Sequence, residues 1–166
     1  ENSDIAYENV AIGTSALNLN DNGYNNIAIG QESLSGNTSG YENIGIGKQS
    51  LYSNISGYDN IGIGYQAGYN AAGNKSIFIG YQAGLNEVGS DKLYIANNST
   101  TPLIYGNFSS QFVGLNTTNP TNTLHVNSLS NPVRFEGLQS VANTRWITSD
   151  RKSTRLNSSH EWISRM

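Results

Sequence analysis

The chain has 166 residues, of which 36% are hydrophobic and only 13% charged, with 18 Gly, no Cys and a formal net charge of −3. So little apolar area argues against a large globular core, yet the low charge and the abundance of Ile and Tyr argue against disorder. No run of about 18 apolar residues exists for a membrane helix, so no membrane contact is expected. The acidic balance makes nucleic acid an unsuitable partner, and without Cys the chain must be held by repetition or oligomerisation. Solenoids need little core per residue and fit these bounds. The start at Glu1-Asn2-Ser3, with no Met and no signal peptide, reads as a chain cut at that end.

Self-similarity begins at once. Tyr7-Glu8-Asn9-Val10-Ala11-Ile12-Gly13 recurs as Tyr24-Asn25-Asn26-Ile27-Ala28-Ile29-Gly30, then as Tyr41-Glu42-Asn43-Ile44-Gly45-Ile46-Gly47. It recurs again as Tyr58-Asp59-Asn60-Ile61-Gly62-Ile63-Gly64 and, degenerately, as Asn74-Lys75-Ser76-Ile77-Phe78-Ile79-Gly80. The closing glycines Gly13, Gly30, Gly47, Gly64 and Gly80 are 16 or 17 residues apart, and Lys92-Leu93-Tyr94-Ile95-Ala96 reads as a weaker sixth copy. A repeat of this length, dense in Gly, Asn and Ser, predicts one coil of a β-solenoid rather than a helical repeat. Stacked about 4.8 Å apart, five or six coils make a rod of roughly 24–29 Å.

Two strand-like pieces are expected per coil. In the first, the pairs Val10/Ile12, Ile27/Ile29, Ile44/Ile46, Ile61/Ile63 and Ile77/Ile79 alternate with one central residue, small in the first four copies and Phe78 in the fifth, the period of a half-buried strand. These pairs are assigned to the repeat core. The small residues Ala11, Ala28, Gly45 and Gly62 are assigned to a face that another chain approaches closely. The second piece follows the Gly, where Leu17, Leu34 and Leu51 share one offset; Gly68 and Gly84 take it later, and bulk passes to Tyr69 and Leu85. Stacking predicts files of Asn9, Asn26, Asn43 and Asn60, of Tyr7, Tyr24, Tyr41 and Tyr58, and of Gln49, Gln66 and Gln82. A ligand-binding face is one reading of such files. Structural stacking is the stronger one, because every coil needs them.

The units NVAIG, NIAIG, NIGIG and SIFIG resemble the head repeats of trimeric autotransporter adhesins, the YadA-like head family, from Tyr7 to about Leu85. That resemblance implies an all-β fold: a left-handed parallel β-roll with 16–17-residue coils, three chains packed side by side. Two departures stand out. The 17-residue coil is longer than the commonest form of the repeat, and Phe78 occupies a position usually small. Lys92-Leu93-Tyr94-Ile95-Ala96-Asn97, Pro102-Leu103-Ile104-Tyr105-Gly106-Asn107-Phe108, Val113-Gly114-Leu115-Asn116 and Leu124-His125-Val126 read as short strands between Asn/Thr/Pro turns. They resemble the connectors that follow such repeats in bacterial surface proteins and phage tail fibres.

Beyond the connector, Ser149-Asp150-Arg151 is similar to the opening of an intramolecular chaperone found in some relatives, whose body is absent. The stretch Asp150–Met166 also resembles the conceptual translation of a common sequencing-library adapter, codon for codon through His160, and is set aside as a read-through artefact. Without it, five basic residues face ten acidic ones and the net charge becomes −5. The expected organisation is head repeats over 1–98, a β-rich connector over 99–149 and the artefact over 150–166.

Nothing points to catalysis. His125 is a lone strand His. No Gly-x-Ser-x-Gly elbow, phosphate loop or Cys/His cluster occurs, and the scattered Asp59, Glu87 and Asp91 give only a weak signal for calcium. Sequons such as Asn37-Thr38-Ser39 follow from composition. The reading is a non-enzymatic segment of a homotrimeric surface fibre, without cofactor. Its outside partner is expected to be a host surface glycan or matrix protein, and its location an outer-membrane-anchored cell surface or a virion. One rival is a phage tail-fibre shaft; another is a monomeric ice- or carbohydrate-binding solenoid.

Overall fold

The structure is a computed structural model and describes residues 7–128. Expectations about the chaperone-like motif, the adapter-like tail and the end of the connector fall outside those residues. One sheet holds nine strands in chain order: β1 Val10–Ile12, β2 Ile27–Ile29, β3 Ile44–Ile46, β4 Ile61–Ile63, β5 Ile77–Ile79, β6 Lys92–Ile95, β7 Ile104–Asn107, β8 Phe112–Leu115 and β9 Leu124–Val126. β1 to β6 pair in parallel, each motif on the next, with partners 17 residues apart up to β4 and 16 apart beyond it. This is a β-solenoid of about five coils. β7 then turns back antiparallel on β6, β8 antiparallel on β7, and β9 runs parallel to β8.

The sense of alternation is the reverse of the one expected. The central residues point inward: Ala28 and Phe78 are fully buried, and Gly45 and Gly62 are buried. The Ile pairs point outward, with Ile46, Ile63 and Ile79 all more than a third exposed. Val10, Ile12, Ile27, Ile29, Ile44, Ile61 and Ile77 share that side and are not core, and Ala28, Gly45 and Gly62 are not on an outer face. Ala11, inward by register, is exposed because β1 ends the described sheet. The physical reason is coil width. A Cβ on Gly45 would lie 2.6 Å from Ser33 Oγ, and one on Gly62 2.8 Å from Leu51 Cγ. Residues from the far side of the coil already fill the interior.

The Asn of the motif is the stitch between coils. Asn26, Asn43 and Asn60 are fully buried. Each accepts at Oδ1 the backbone N–H of its successor one coil on, at 3.0–3.1 Å. Each Nδ2 donates to the turn carbonyl before that successor, at 2.8 Å to Gly40, 2.7 Å to Gly57 and 2.9 Å to Gly73. Asn9 starts the file on Asn26 and Gly23, and Ser76 ends it by accepting the Lys92 N–H. An unpaired buried amide costs about 1–3 kcal/mol, so the file is obligatory once the interior is closed.

The second strand-like piece is not a strand. Ser15, Leu17, Glu32, Leu34, Gln49 and Leu51 all have φ between 49° and 58°, so the chain bends at alternate residues. It is still laddered, Leu34 N–H to the Ser50 carbonyl at 2.9 Å and Gly36 N–H to Tyr52 at 2.8 Å. A Leu in this left-handed region costs about 1–2 kcal/mol. Burying it returns roughly 1.5–3 kcal/mol, so a Leu persists only while it fills the core. The bulk lost at Gly68 and Gly84 passes to Phe78, not to Tyr69 and Leu85, which are only half-buried.

The roll ends on an aromatic plug. Phe78 packs on Tyr94 with centroids 5.9 Å apart, and Tyr94 meets Tyr105 edge-on at 5.2 Å. Tyr94 Oη donates to Glu87 Oε2 at 2.6 Å, while Glu87 Oε1 accepts the Gly89 N–H at 2.7 Å. Burial first, then the bond to Glu87, pushes the Tyr94 hydroxyl well above the usual tyrosine range.

Candidate functional site

The outward side of the sheet is the one feature that runs its whole length. Strand register aligns one file through Val10, Ile27, Ile44, Ile61, Ile77, Leu93, Gly106, Val113 and Leu124. It aligns a second through Ile12, Ile29, Ile46, Ile63, Ile79, Ile95, Ile104, Leu115 and Val126. Gly106 is the single interruption, and the Leu93 side chain lies over it. The strip continues across the change from parallel to antiparallel pairing at β6–β7, because a register that keeps faces aligned is indifferent to strand direction. At ~4.8 Å per strand it is about 38 Å long and, between residues i and i+2, about 7 Å wide.

Polar positions border it. On one side lie Glu8, Asn25, Glu42, Asp59 and Lys75; on the other lie Thr14, Gln31, Lys48, Tyr65 and Tyr81. All ten are exposed. The motif glycines sit between the second file and that border with φ of 111–132°, a conformation L side chains rarely adopt. A Cβ on Gly30 would lie 2.6 Å from the Gly47 carbonyl carbon. Gly13, Gly30, Gly47, Gly64 and Gly80 thus form a file of their own that lets coils close on one another.

The tyrosine column is present, and its geometry limits what it can bind. Tyr7, Tyr24, Tyr41 and Tyr58 stack with centroids 5.2, 4.9 and 5.0 Å apart, within 6° of parallel. The inner rings have both faces covered by neighbours. Lys75 Nζ lies 5.9 Å from the Tyr58 centroid, a cation–π contact on the last ring. The hydroxyls of Tyr24 and Tyr41 are raised above their ordinary range by local burial first, then by Tyr41, Tyr7 and Glu42 for Tyr24 and by Tyr58, Asp59 and Glu42 for Tyr41. Gln49, Gln66 and Gln82 form the expected amide file, bonded at 2.9 and 2.8 Å, and Glu32 extends it by accepting from Gln49 Nε2 at 2.6 Å.

A second buried Asn file went unread in the sequence. Asn37 Nδ2 donates to Asn20 Oδ1 at 2.8 Å and to the Gly40 carbonyl at 3.0 Å. The acceptors Asn37 Oδ1 and Asn54 Oδ1 have no conventional donor. Each faces the Cα of the Gly three residues on, Gly40 or Gly57, too close for a Cβ. A weak Cα–H···O contact explains the spacing Asn-x-x-Gly, which is the signal the sequence offered. Among the described residues no group of three or more His, Cys, Asp or Glu is placed to hold a metal ion, and no helix is long and apolar enough to cross a membrane.

No family profile matches this chain, and no curated protein or solved structure matches it either. The solenoid is established by its own register and packing.

Proposed function

We propose that this chain is a structural, adhesive segment of a surface fibre built by side-by-side association of three copies, in the manner of the trimeric autotransporter adhesin heads its repeats resemble. The observation that carries this reading is the apolar strip that runs from β1 to β9, interrupted at Gly106 alone. A narrow strip on a long sheet suits burial along a shared axis better than a broad face-to-face contact. The borders support the same arrangement. Parallel copies related by rotation set one border against the other, so that at equal height Glu42 meets Lys48, Asp59 meets Tyr65 and Lys75 meets Tyr81. An antiparallel pair would set Glu42 and Asp59 against like charge. The fibre would display its outer files to a host glycan or matrix protein through many weak identical contacts, from a cell surface or a virion.

Sedimentation equilibrium of the full chain at micromolar concentration tests this. A trimer is expected, and Ile46→Glu with Ile63→Glu converts it to a folded monomer. A wild-type monomer retaining its β circular dichroism overturns the proposal and returns the chain to the monomeric solenoid reading.

A further inference from the structure

We infer that the coils of this roll have a fixed order, set by the sizes of two inward positions, so that the roll can change length only upstream of its fourth coil. The first position is the centre of the strand motif: Ala11, Ala28, Gly45, Gly62, then Phe78. The second is the left-handed residue across the coil: Leu17, Leu34, Leu51, Gly68, then Gly84. Coils one to three pair small with Leu. Coil five pairs Phe with Gly. Coil four pairs Gly with Gly and supplies bulk at neither position.

Its interior is filled by its neighbours. A Cβ on Gly62 would lie 2.8 Å from Leu51 Cγ, contributed by coil three. A Cβ on Gly68 would lie 2.8 Å from Leu51 Cδ2 and 2.6 Å from Phe78 Cδ2, so coils three and five meet there. The other edge of the Phe78 ring lies against Gly84. Coil four is therefore a spacer between two coil types that cannot stack directly. Leu51 and Phe78 would claim one volume, and interiors packed near crystal density have none to spare. The upstream coils carry no such restriction. Leu34 Cγ sits 3.2 Å from where a Gly45 Cβ would be, the same lean of one coil's Leu over the next coil's small residue. Any of these three can be lost or duplicated with its contacts replaced in kind.

Two deletions separate the cases. Removing residues 26–42 joins Asn25 to Asn43 and takes out a whole upstream coil. Removing residues 60–75 joins Asp59 to Ser76 and takes out coil four. The first is expected to keep cooperative thermal unfolding within a few degrees of the parent, and the second to lower the midpoint by about 10 °C or abolish folding. Leu51→Gly decides the matter even if the second deletion fails to fold. In the full chain it opens a cavity and lowers the midpoint. In the chain lacking 60–75 it rebuilds the double-Gly spacer and raises the midpoint or restores folding. Equal cost of the two deletions, or a Leu51→Gly effect of the same sign in both backgrounds, overturns the inference.

Discussion

The roll and the connector present one outer strip over two different interiors, and the contrast separates what repetition supplies from what the strip requires. In the roll, every inward position repeats, so polar groups are satisfied by like groups one coil away. Asn43 illustrates this, bonded to Asn26, Gly57 and Asn60. In the connector, nothing repeats. Several polar side chains there serve their own turns: Asn98 Oδ1 accepts from the Thr100 and Thr101 N–H groups, and Asn107 Oδ1 from Ser109 and Ser110. Even strand direction changes. The outward files nevertheless continue to Leu124 and Val126. An interior can be rebuilt locally, whereas under the proposed association the surface that meets the other copies must be kept in line.

The plug joins the two interiors, and Phe78 is where the contrast is easiest to break. It is fully buried, reaches into coil four and stacks on Tyr94. Phe78→Ala removes bulk that neither Gly68 nor Gly84 can replace. A loss of about 3–5 kcal/mol is expected in denaturant unfolding, with midpoint shifted and slope kept.

Asparagines sharpen the comparison next. Asn43→Ala leaves the buried Asn60 N–H without its partner and the Gly57 carbonyl with Asn54 Nδ2 alone, and is expected to cost about 1–3 kcal/mol. Asn98→Ala in the connector frees only exposed groups of its own turn, so about 1 kcal/mol or less is expected. Equal costs in chemical denaturation would contradict the assignment of the Asn file to the closed interior.

Alkaline pH acts on the join. Burial and the Glu87 charge hold the hydroxyls of Tyr94 and Tyr105 above their ordinary range, though the Asn107 bond lowers the second somewhat. The native state therefore keeps protons that the unfolded chain releases above about pH 10. Their contribution is complete below that pH and is lost as pH rises beyond it. Tyr94→Phe removes the bond to Glu87 and makes this alkaline loss shallower, measurable as a smaller fall in melting midpoint between about pH 9 and pH 11.

How much of this was legible follows from what each residue has to satisfy. Coil length, the Asn and Gln files and the tyrosine column are visible because stacking makes like residues recur at a fixed spacing. The period-2 pattern also marks the strands, but period alone does not say which face is inside. Ile29 and Ala28 have the hydrophobicity either side would accept. What decides is width: Leu34 and Leu51 arrive from across the coil and leave room only for Ala or Gly. The exchange of bulk between Leu51 and Phe78 was in the sequence as two departures from the repeat, and only the packing shows they compensate. The second strand-like piece is not a strand because Leu34 and Leu51 sit at positive φ, where composition predicts Gly or Asn.

The smallest effect expected concerns the borders of the strip. Under the proposed parallel association, Glu42 and Lys48 meet across the rim of a contact whose centre is apolar. Such exposed pairs contribute about 0–1 kcal/mol and are screened by salt. Glu42→Lys places two cations at that height and is expected to weaken association a few-fold at low ionic strength, with little difference at high salt. Lys48→Glu added to it restores opposite signs in swapped order and recovers the loss. An antiparallel contact makes another prediction. It never brings the two borders together, so the double exchange rescues nothing. Sedimentation of the four chains at two salt concentrations therefore reads out the orientation of the copies, separately from whether they associate at all.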